Sequence, residues 1–236
     1  MKQTRSPETL IKYSCPKMEF QALFLSLILG MSWAVRQDLS GKMFTFPSEN
    51  NWAHVKITTS KQYLSAATVC LRYFTDTTSR DTVIFSMSTP SHQNAILIFK
   101  KQQTGVIEVH VRNAYSVFNG QDFRTNTWQS VCVTWDSTSG LTQLWLDGKP
   151  SSRKYTTTSP ISGPIIIVLG QEQDSHGGKF DTNQCFVGMI SDLQMWDRVL
   201  TPDQIQNYNT ANGSFISWAS LEYYKTSRIL VEDKLM

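Results

Sequence analysis

The densest group of side chains that could do chemistry lies in residues 168–186, VLGQEQDSHGGKFDTNQCF. Three carboxylates, Glu172, Asp174 and Asp181, alternate there with amides that include Gln173 and Gln184. Oxygen atoms of these kinds are the ligands of Ca²⁺, which takes six to eight of them. On residue types alone a polar, solvated loop is the simpler interpretation, and calcium is the chemical alternative.

Other metal and catalytic chemistries find little support in the sequence. The segment has no set of thiolate ligands and one histidine, His176, which does not suit zinc. The D-x-D-x-D-G ladder of an EF-hand is absent, as are G-x-S-x-G, P-loop and H-E-x-x-H motifs. Binding is therefore favoured over catalysis.

Two other classes remain open. A jelly-roll glycoside hydrolase needs a pair of carboxylates, and Glu172-x-Asp174 is similar to the start of an E-x-D-x-x-E strand motif. The third acid of that motif would fall at Gly177. A laminin-G-like adhesion module is the other alternative, and a leader followed by a single domain argues against it.

The elements that must position this segment are β-strands. Runs rich in Val, Ile, Thr and aromatic residues recur at 82–87, 95–100, 106–111, 130–135, 142–146 and 165–169. Residues 137–140 and the pair Asp147-Gly148 predict tight turns. The pattern predicts an all-β fold, a flattened antiparallel jelly roll of two sheets.

One short helix interrupts this pattern near residues 202–209. Thr201 is a good N-cap residue, Pro202 suits the first helical position, and Gln204 completes a capping box.

The N-terminal 34 residues differ from the rest of the chain. Residues 22–33 form an uncharged apolar run, too short for a membrane span and suited to a signal peptide cleaved after Ala34. Met18 is an alternative start. A membrane anchor or buried helix is the competing interpretation. The sequence predicts secretion of a domain over 35–236.

Secretion exposes the cysteines to an oxidising compartment. Cleavage would remove Cys15, and Cys70 and Cys132, both in strand-like runs, form the natural pair. Cys185 is left over, either buried or paired between chains. Asn212 begins an N-x-S glycosylation sequon. The net charge of +3 comes from scattered basic residues, which gives no support for nucleic-acid binding.

Four stretches resemble the short pentraxin family. They are DLSGKMFTFP at 38–47, SVCVTWDS at 130–137, LGQEQDSHGGKFD at 169–181 and MWDRVLTPDQI at 195–205. The second matches the signature H-x-C-x-[S/T]-W-x-[S/T] except that Ser130 replaces His. The third resembles the calcium loop of that family, and the resemblance covers about 37–223.

The resemblance implies a non-enzymatic, calcium-dependent binding protein of innate immunity, assembled as a ring, usually a pentamer. It implies two calcium ions per subunit, with phosphocholine, phosphoethanolamine or carbohydrate as ligands. By motif, the first ion takes Asn94, Glu172, the Gln173 carbonyl and Asp174. The second takes Glu172, Asp174, Asp181 and Gln184.

Two departures from the family pattern affect this expectation. Gln93 stands where the family usually has Asp, which weakens the first site because calcium affinity follows ligand charge. Phe99 matches the position that supports a choline methyl group. Ala114 falls where the family has an acid, and Glu108 is the nearest carboxylate, so phosphocholine specificity is in doubt.

Overall fold

A computed structural model describes residues 36–234. The strands in this part of the chain are β1 (Lys42–Phe46), β2 (Val55–Thr58), β3 (Tyr63–Leu64), β4 (Ala66–Phe74), β5 (Thr82–Thr89), β6 (His92–Lys100), β7 (Ile107–Val111), β8 (Ala114–Phe118), β9 (Gln129–Asp136), β10 (Leu141–Leu146), β11 (Lys149–Tyr155), β12 (Ile161–Ser162), β13 (Ile166–Leu169), β14 (Gly188–Trp196), β15 (Ile216–Ser217), β16 (Tyr223–Lys225) and β17 (Leu230–Asp233). The helix α1 spans Pro202–Gln206, and short 3-10 turns cover Thr182–Gln184, Tyr208–Thr210 and Trp218–Ser220.

These strands form two large antiparallel sheets. The first has the order β11-β10-β9-β4-β14-β1-β17, with β15 paired to β14. The second has the order β16-β2-β13-β5-β6-β7-β8, and β3 pairs with β12 in a separate two-stranded ladder. The predicted all-β, two-sheet architecture is confirmed.

The core lies between the two sheets because each contributes one apolar face. Phe44 and Trp135 of the first sheet and Phe85 and Ile98 of the second are buried in one cluster. A second cluster packs α1 against the other face of the first sheet. Its members are Cys70, Cys132, Trp145, Trp196, Leu200, Ile205 and Tyr208.

The predicted turns and helix are present with small differences in length. Residues 137–140 join β9 to β10, and Asp147-Gly148 joins β10 to β11 with positive φ at both residues. The capping box of Thr201 and Gln204 forms as predicted. The helix ends at Gln206, earlier than expected, because Asn207 leaves helical geometry and its side chain donates to the Asp203 carbonyl.

Cys70 and Cys132 form a disulfide, as predicted, at directly opposite positions of β4 and β9. Cys185 is buried with a free thiol. The predicted signal peptide, Met18 and Cys15 lie outside the described residues. Between residues 36 and 234 no helix is both long enough and apolar enough to cross a membrane.

Candidate metal centre

The loop that carries the predicted ligands leaves β13 and returns before β14. Its base is closed by Phe186, whose backbone N–H donates to the Gly170 carbonyl at 2.9 Å. Gly170 has φ of +92°, and a side chain there would overlap the Phe46 ring. A glycine is therefore required where the strand turns into the loop.

Two buried glutamines fix the first turn of this loop. Gln171 donates to the carbonyls of Asn50 and Ala53 at 2.9 and 3.0 Å. Gln173 accepts from the Ser88 hydroxyl at 2.7 Å and donates to the Ser86 carbonyl at 3.2 Å. These side-chain hydrogen bonds connect the loop to the residues before β2 and to β5. Sequence reasoning missed both side-chain roles.

The far part of the loop is a tight reversal. Ser175 and Gly178 exchange backbone hydrogen bonds of 3.1 Å, and Gly177 between them has φ of +81°. The Ser88 hydroxyl lies 3.0 Å from Nδ1 of His176. Burial and the nearby Lys56 lower the pKa of His176.

The loop brings the three predicted carboxylates together. Glu172 is only 4 % exposed. Burial raises its pKa to about 7, and the charges of Asp174 and Asp181 contribute to the rise, as does a hydrogen bond with Asp174. A buried carboxyl group beside two others is unfavourable when ionised unless a cation compensates it.

Three predicted ligand oxygens are buried without a hydrogen-bond partner. They are Oδ1 of Asn94, Oε2 of Glu172 and Oε1 of Gln184. Native proteins rarely leave buried polar atoms unpaired, so each such atom calls for a partner outside the chain. These oxygens come from β6, the loop and the 3-10 turn at Thr182–Gln184, and they fit a hard cation such as Ca²⁺.

Neighbouring side chains hold two of the candidate ligands. Asp181 caps the 3-10 turn that carries Gln184, because its Oδ1 accepts from the Asn183 backbone at 2.9 Å. Asn113, in the β7–β8 turn with φ of +66°, accepts from the Asn94 backbone at 3.0 Å. Sequence reasoning missed Asn113, because this contact forms only where β6 and β7 pair in register.

No group of three or more His, Cys, Asp or Glu side chains within 36–234 is arranged to hold a metal by itself. The candidate set is of another kind, since it relies on amide and carbonyl oxygens as well as on carboxylates. Asp174 is exposed at the surface of the loop.

The remaining predicted residues lie at different depths. Gln93 is exposed on β6 beside Asn94. Phe99 is 5 % exposed, with Nζ of Lys101 5.1 Å from its ring centroid, and Glu108 is its direct neighbour on β7. Ala114 opens β8. Asn212 is exposed, and its Oδ1 accepts from Ser217 at 3.1 Å.

Comparison with known proteins matches the chain to one protein family. The sequence profile of the Pentaxin family matches residues 42–232. C-reactive protein of Sus scrofa is 40% identical over 225 residues, which cover 92% of this chain and 99% of that protein. Serum amyloid P-component of Cavia porcellus is 35% identical over 84% of this chain and 90% of its own length.

A solved structure shows the same fold. The native heptameric SAP-like pentraxin of Limulus polyphemus superposes with a TM-score of 0.74 at 23% identity, over 82% of this chain and 95% of that one. The family profile spans most of the chain, and relatives of 35–40% identity cover nearly all of it. The chain therefore belongs to the pentraxin family.

Proposed function

We propose that the chain is a secreted, calcium-dependent binding protein for anionic head groups, without catalytic activity. The observation that carries the proposal is the set of buried oxygens without partners on Asn94, Glu172 and Gln184. They accompany a carboxyl group whose pKa is raised to about 7 by burial and by neighbouring acids. Such a cluster is unfavourable alone and becomes favourable around a divalent cation.

Each residue has a role in this proposal. Glu172 and Asp174 would serve both calcium ions, which accounts for two acids lying together in one loop. Asn94 and the Gln173 carbonyl serve the first ion, while Asp181 and Gln184 serve the second. Gln93 adds at most a neutral oxygen, so the first site is the weaker one.

The ligand class follows from charge. Two divalent ions facing three carboxylates leave one net positive charge at the protein surface, where Asp174 is exposed. Calcium supplies that charge when bound and attracts a phosphate, carboxylate or sulfate oxygen. Phosphocholine, phosphoethanolamine and acidic carbohydrates all carry such a group. Burial of Phe99 under Lys101 disfavours a choline cation at that ring.

We also propose that several subunits close into a ring. The first sheet ends in β11 on one side and β17 on the other. The β11 edge carries Lys149, Arg153 and Lys154, and the β17 edge carries Glu232 and Asp233. Opposite charges on opposite edges suit a head-to-tail contact, which closes by rotation. Sedimentation of the purified protein should give the mass of several subunits, and a monomer at micromolar concentration would contradict the ring.

The test of binding is an array of phosphocholine, phosphoethanolamine, sulfated glycans and neutral glycans, probed with calcium and then with a chelator. We expect phosphocholine, phosphoethanolamine and the sulfated glycans to retain the protein in calcium and to release it in chelator. Retention of the protein by all of the array compounds, independent of calcium, would contradict the proposal. Incubation with the retained glycans should leave them uncleaved, because a glycosidase would shorten them.

A further inference from the structure

Four aromatic side chains lie near residues 170–186, the loop between β13 and β14, here called the metal loop. They are Trp52, His54, Phe180 and Tyr224, here called the aromatic patch. The His54 ring contacts the rings of Phe180 and Tyr224, and Trp52 reaches His54 through its backbone carbonyl. The rings of His54 and Phe180 are 5.0 Å apart, and those of His54 and Tyr224 are 6.5 Å apart. His54 Nδ1 lies 2.7 Å from the Trp52 carbonyl. Trp52 is 44% exposed and Tyr224 is 62% exposed.

The aromatic patch lies on the face of the second sheet that carries the metal loop. One row of directly opposite residues crosses that sheet from β5 through β13 and β2 to β16. The row consists of Ser86, Val168, Lys56 and Tyr224. Directly opposite residues of adjacent strands share a face, and Ser86 holds Gln173 of the loop. Tyr224 and Lys56 therefore lie on the loop side, and Phe180 immediately precedes the candidate ligand Asp181.

Positive charge borders the aromatic patch without compensation. The Arg228 guanidinium lies 5.6 Å from the Trp52 ring centroid, and Ser48 Oγ accepts from it at 3.3 Å. Among the residues from 36 to 234, neither Arg228 nor Lys56 forms an ion pair with a carboxylate. Exposed rings such as Trp52 and Tyr224 that are bordered by polar groups are typical of a binding site.

We propose that the aromatic patch, with Lys56 and Arg228, is a second binding site that takes acidic oligosaccharides without calcium. One face of a pyranose ring consists of C–H groups, which stack on an exposed aromatic ring such as Tyr224. A sulfate or carboxylate on the same sugar accepts hydrogen bonds from the planar guanidinium of Arg228. Lys56 supplies a second positive charge for the next acidic group.

The mixture of rings and cations favours a sugar over a protein partner. Centres of protein–protein interfaces are depleted in lysine, whereas here Lys56 lies directly opposite the exposed Tyr224. This second site adds a binding activity to the proposed calcium-dependent one. It does not depend on that activity, because none of its groups is a candidate metal ligand.

The test measures binding of size-defined oligosaccharides in chelator by calorimetry. Heparin fragments provide sulfates and carboxylates, hyaluronan fragments provide carboxylates alone, and dextran fragments are neutral. We expect heparin fragments to bind and dextran fragments not to bind. Binding of hyaluronan as well would assign the recognition to carboxylates, and its failure would assign it to sulfates. Equal binding of dextran would overturn the proposal.

Matched variants assign the binding to these side chains. Trp52→Ala and Tyr224→Ala should weaken heparin binding at least about tenfold, a typical loss for an aromatic anchor, and Tyr224→Phe should retain it. Arg228→Gln should weaken it similarly. Tyr63→Ala and Arg198→Gln, which remove an exposed ring and an exposed cation elsewhere, should bind like the parent protein.

Two results would overturn the assignment. One is heparin binding by Trp52→Ala and Tyr224→Ala at the parent affinity, or an equal loss in the two control variants. The other is a fall in sedimentation mass of Tyr224→Ala with unchanged heparin binding, which would make the aromatic patch a contact between subunits. Loss of calcium-dependent retention in Glu172→Gln with heparin binding intact would leave this second site standing.

Discussion

Asn94 and Asn113 hold one another through two hydrogen bonds across the β6–β7–β8 meander. The Asn94 backbone N–H donates to Oδ1 of Asn113 at 3.0 Å, and the Asn113 N–H donates to the Asn94 carbonyl at 2.9 Å. The Oδ1 of Asn94 remains buried without a partner. Asn113 thus orients a candidate calcium ligand without being one.

Asn113→Gly should keep the left-handed turn and remove the side-chain acceptor. One hydrogen bond contributes about 1 kcal/mol, so we expect calcium affinity to fall about fivefold. Asn113→Asp keeps the acceptor and serves as the control, with affinity at least that of the parent because its added negative charge also favours calcium. Calorimetric calcium titration measures both. An unchanged affinity in Asn113→Gly would show that Asn94 is not a ligand.

Glu172→Gln should abolish ligand binding at millimolar calcium, because the ligand set of each proposed ion loses one negative charge. Gln184→Ala removes one neutral oxygen from one ion and should only weaken calcium affinity, by about tenfold. Calcium titration followed by array binding separates the two effects. Normal ligand binding by Glu172→Gln would place the ions elsewhere.

Gln93→Asp should tighten the first calcium site because it adds a negative charge beside Asn94. Gln93 is exposed, so the substitution needs no change in packing. Gln102→Asp, on the loop after β6, is a control for added charge alone. If both variants titrate like the parent protein, Gln93 does not contribute to the site.

The calcium-free protein should lose stability as pH rises between about 4.5 and 7. The pKa of Glu172 is raised from 4.5 to about 7, first by burial and then by its acidic neighbours. The native state therefore binds more protons than the unfolded state in this window, and the stabilisation present below pH 4.5 disappears by pH 7. Bound calcium would stabilise the ionised carboxylate of Glu172, so added calcium should remove this loss of stability.

Thermal melting in chelator at pH 5 and pH 7.5 measures the effect. Histidines with lowered pKa act in the opposite direction, so the readout is the difference between the protein and Glu172→Gln. Those histidines are His92, His110 and His176. Identical pH profiles for the protein and the variant would show that Glu172 is ionised throughout.

Replacement of Cys70 and Cys132 by alanine should lower the free energy of unfolding by about 4 kcal/mol. The disulfide spans a sequence separation of 62 residues, and closing such a loop limits the entropy of the unfolded chain. Denaturant unfolding measures the loss. Cys185→Ala, which removes a buried free thiol, should cost no more than about 2 kcal/mol, and equal losses would contradict the role of the cross-link.

The sequence predicted features that depend on neighbours along the chain. The capping box of Thr201 and Gln204 and the turn at Asp147-Gly148 are local patterns, and both form. The disulfide was predictable because only three cysteines follow residue 34 and two of them lie in strand-like runs. The ligand assignments rested on the resemblance and remain proposals.

Other features depend on contacts between distant segments and could not be predicted. Gln173 was assigned a role through its backbone carbonyl alone, yet its side chain binds Ser86 and Ser88, more than eighty residues earlier. Asn113 contacts Asn94 only after β6 and β7 have paired in register. Neither partner can be identified from residue types without the pairing of the strands.

The amide anchors of Gln171 and Gln173 also affect how quickly the metal loop can respond. Their hydrogen bonds join neutral groups, none of which itself titrates with pH. The loop is thereby preorganised, and most of its ordering entropy is lost during folding rather than during ion capture. Under the proposed function, calcium would therefore enter and leave without a folding step, and the protein would release a bound surface reversibly when the local calcium concentration falls.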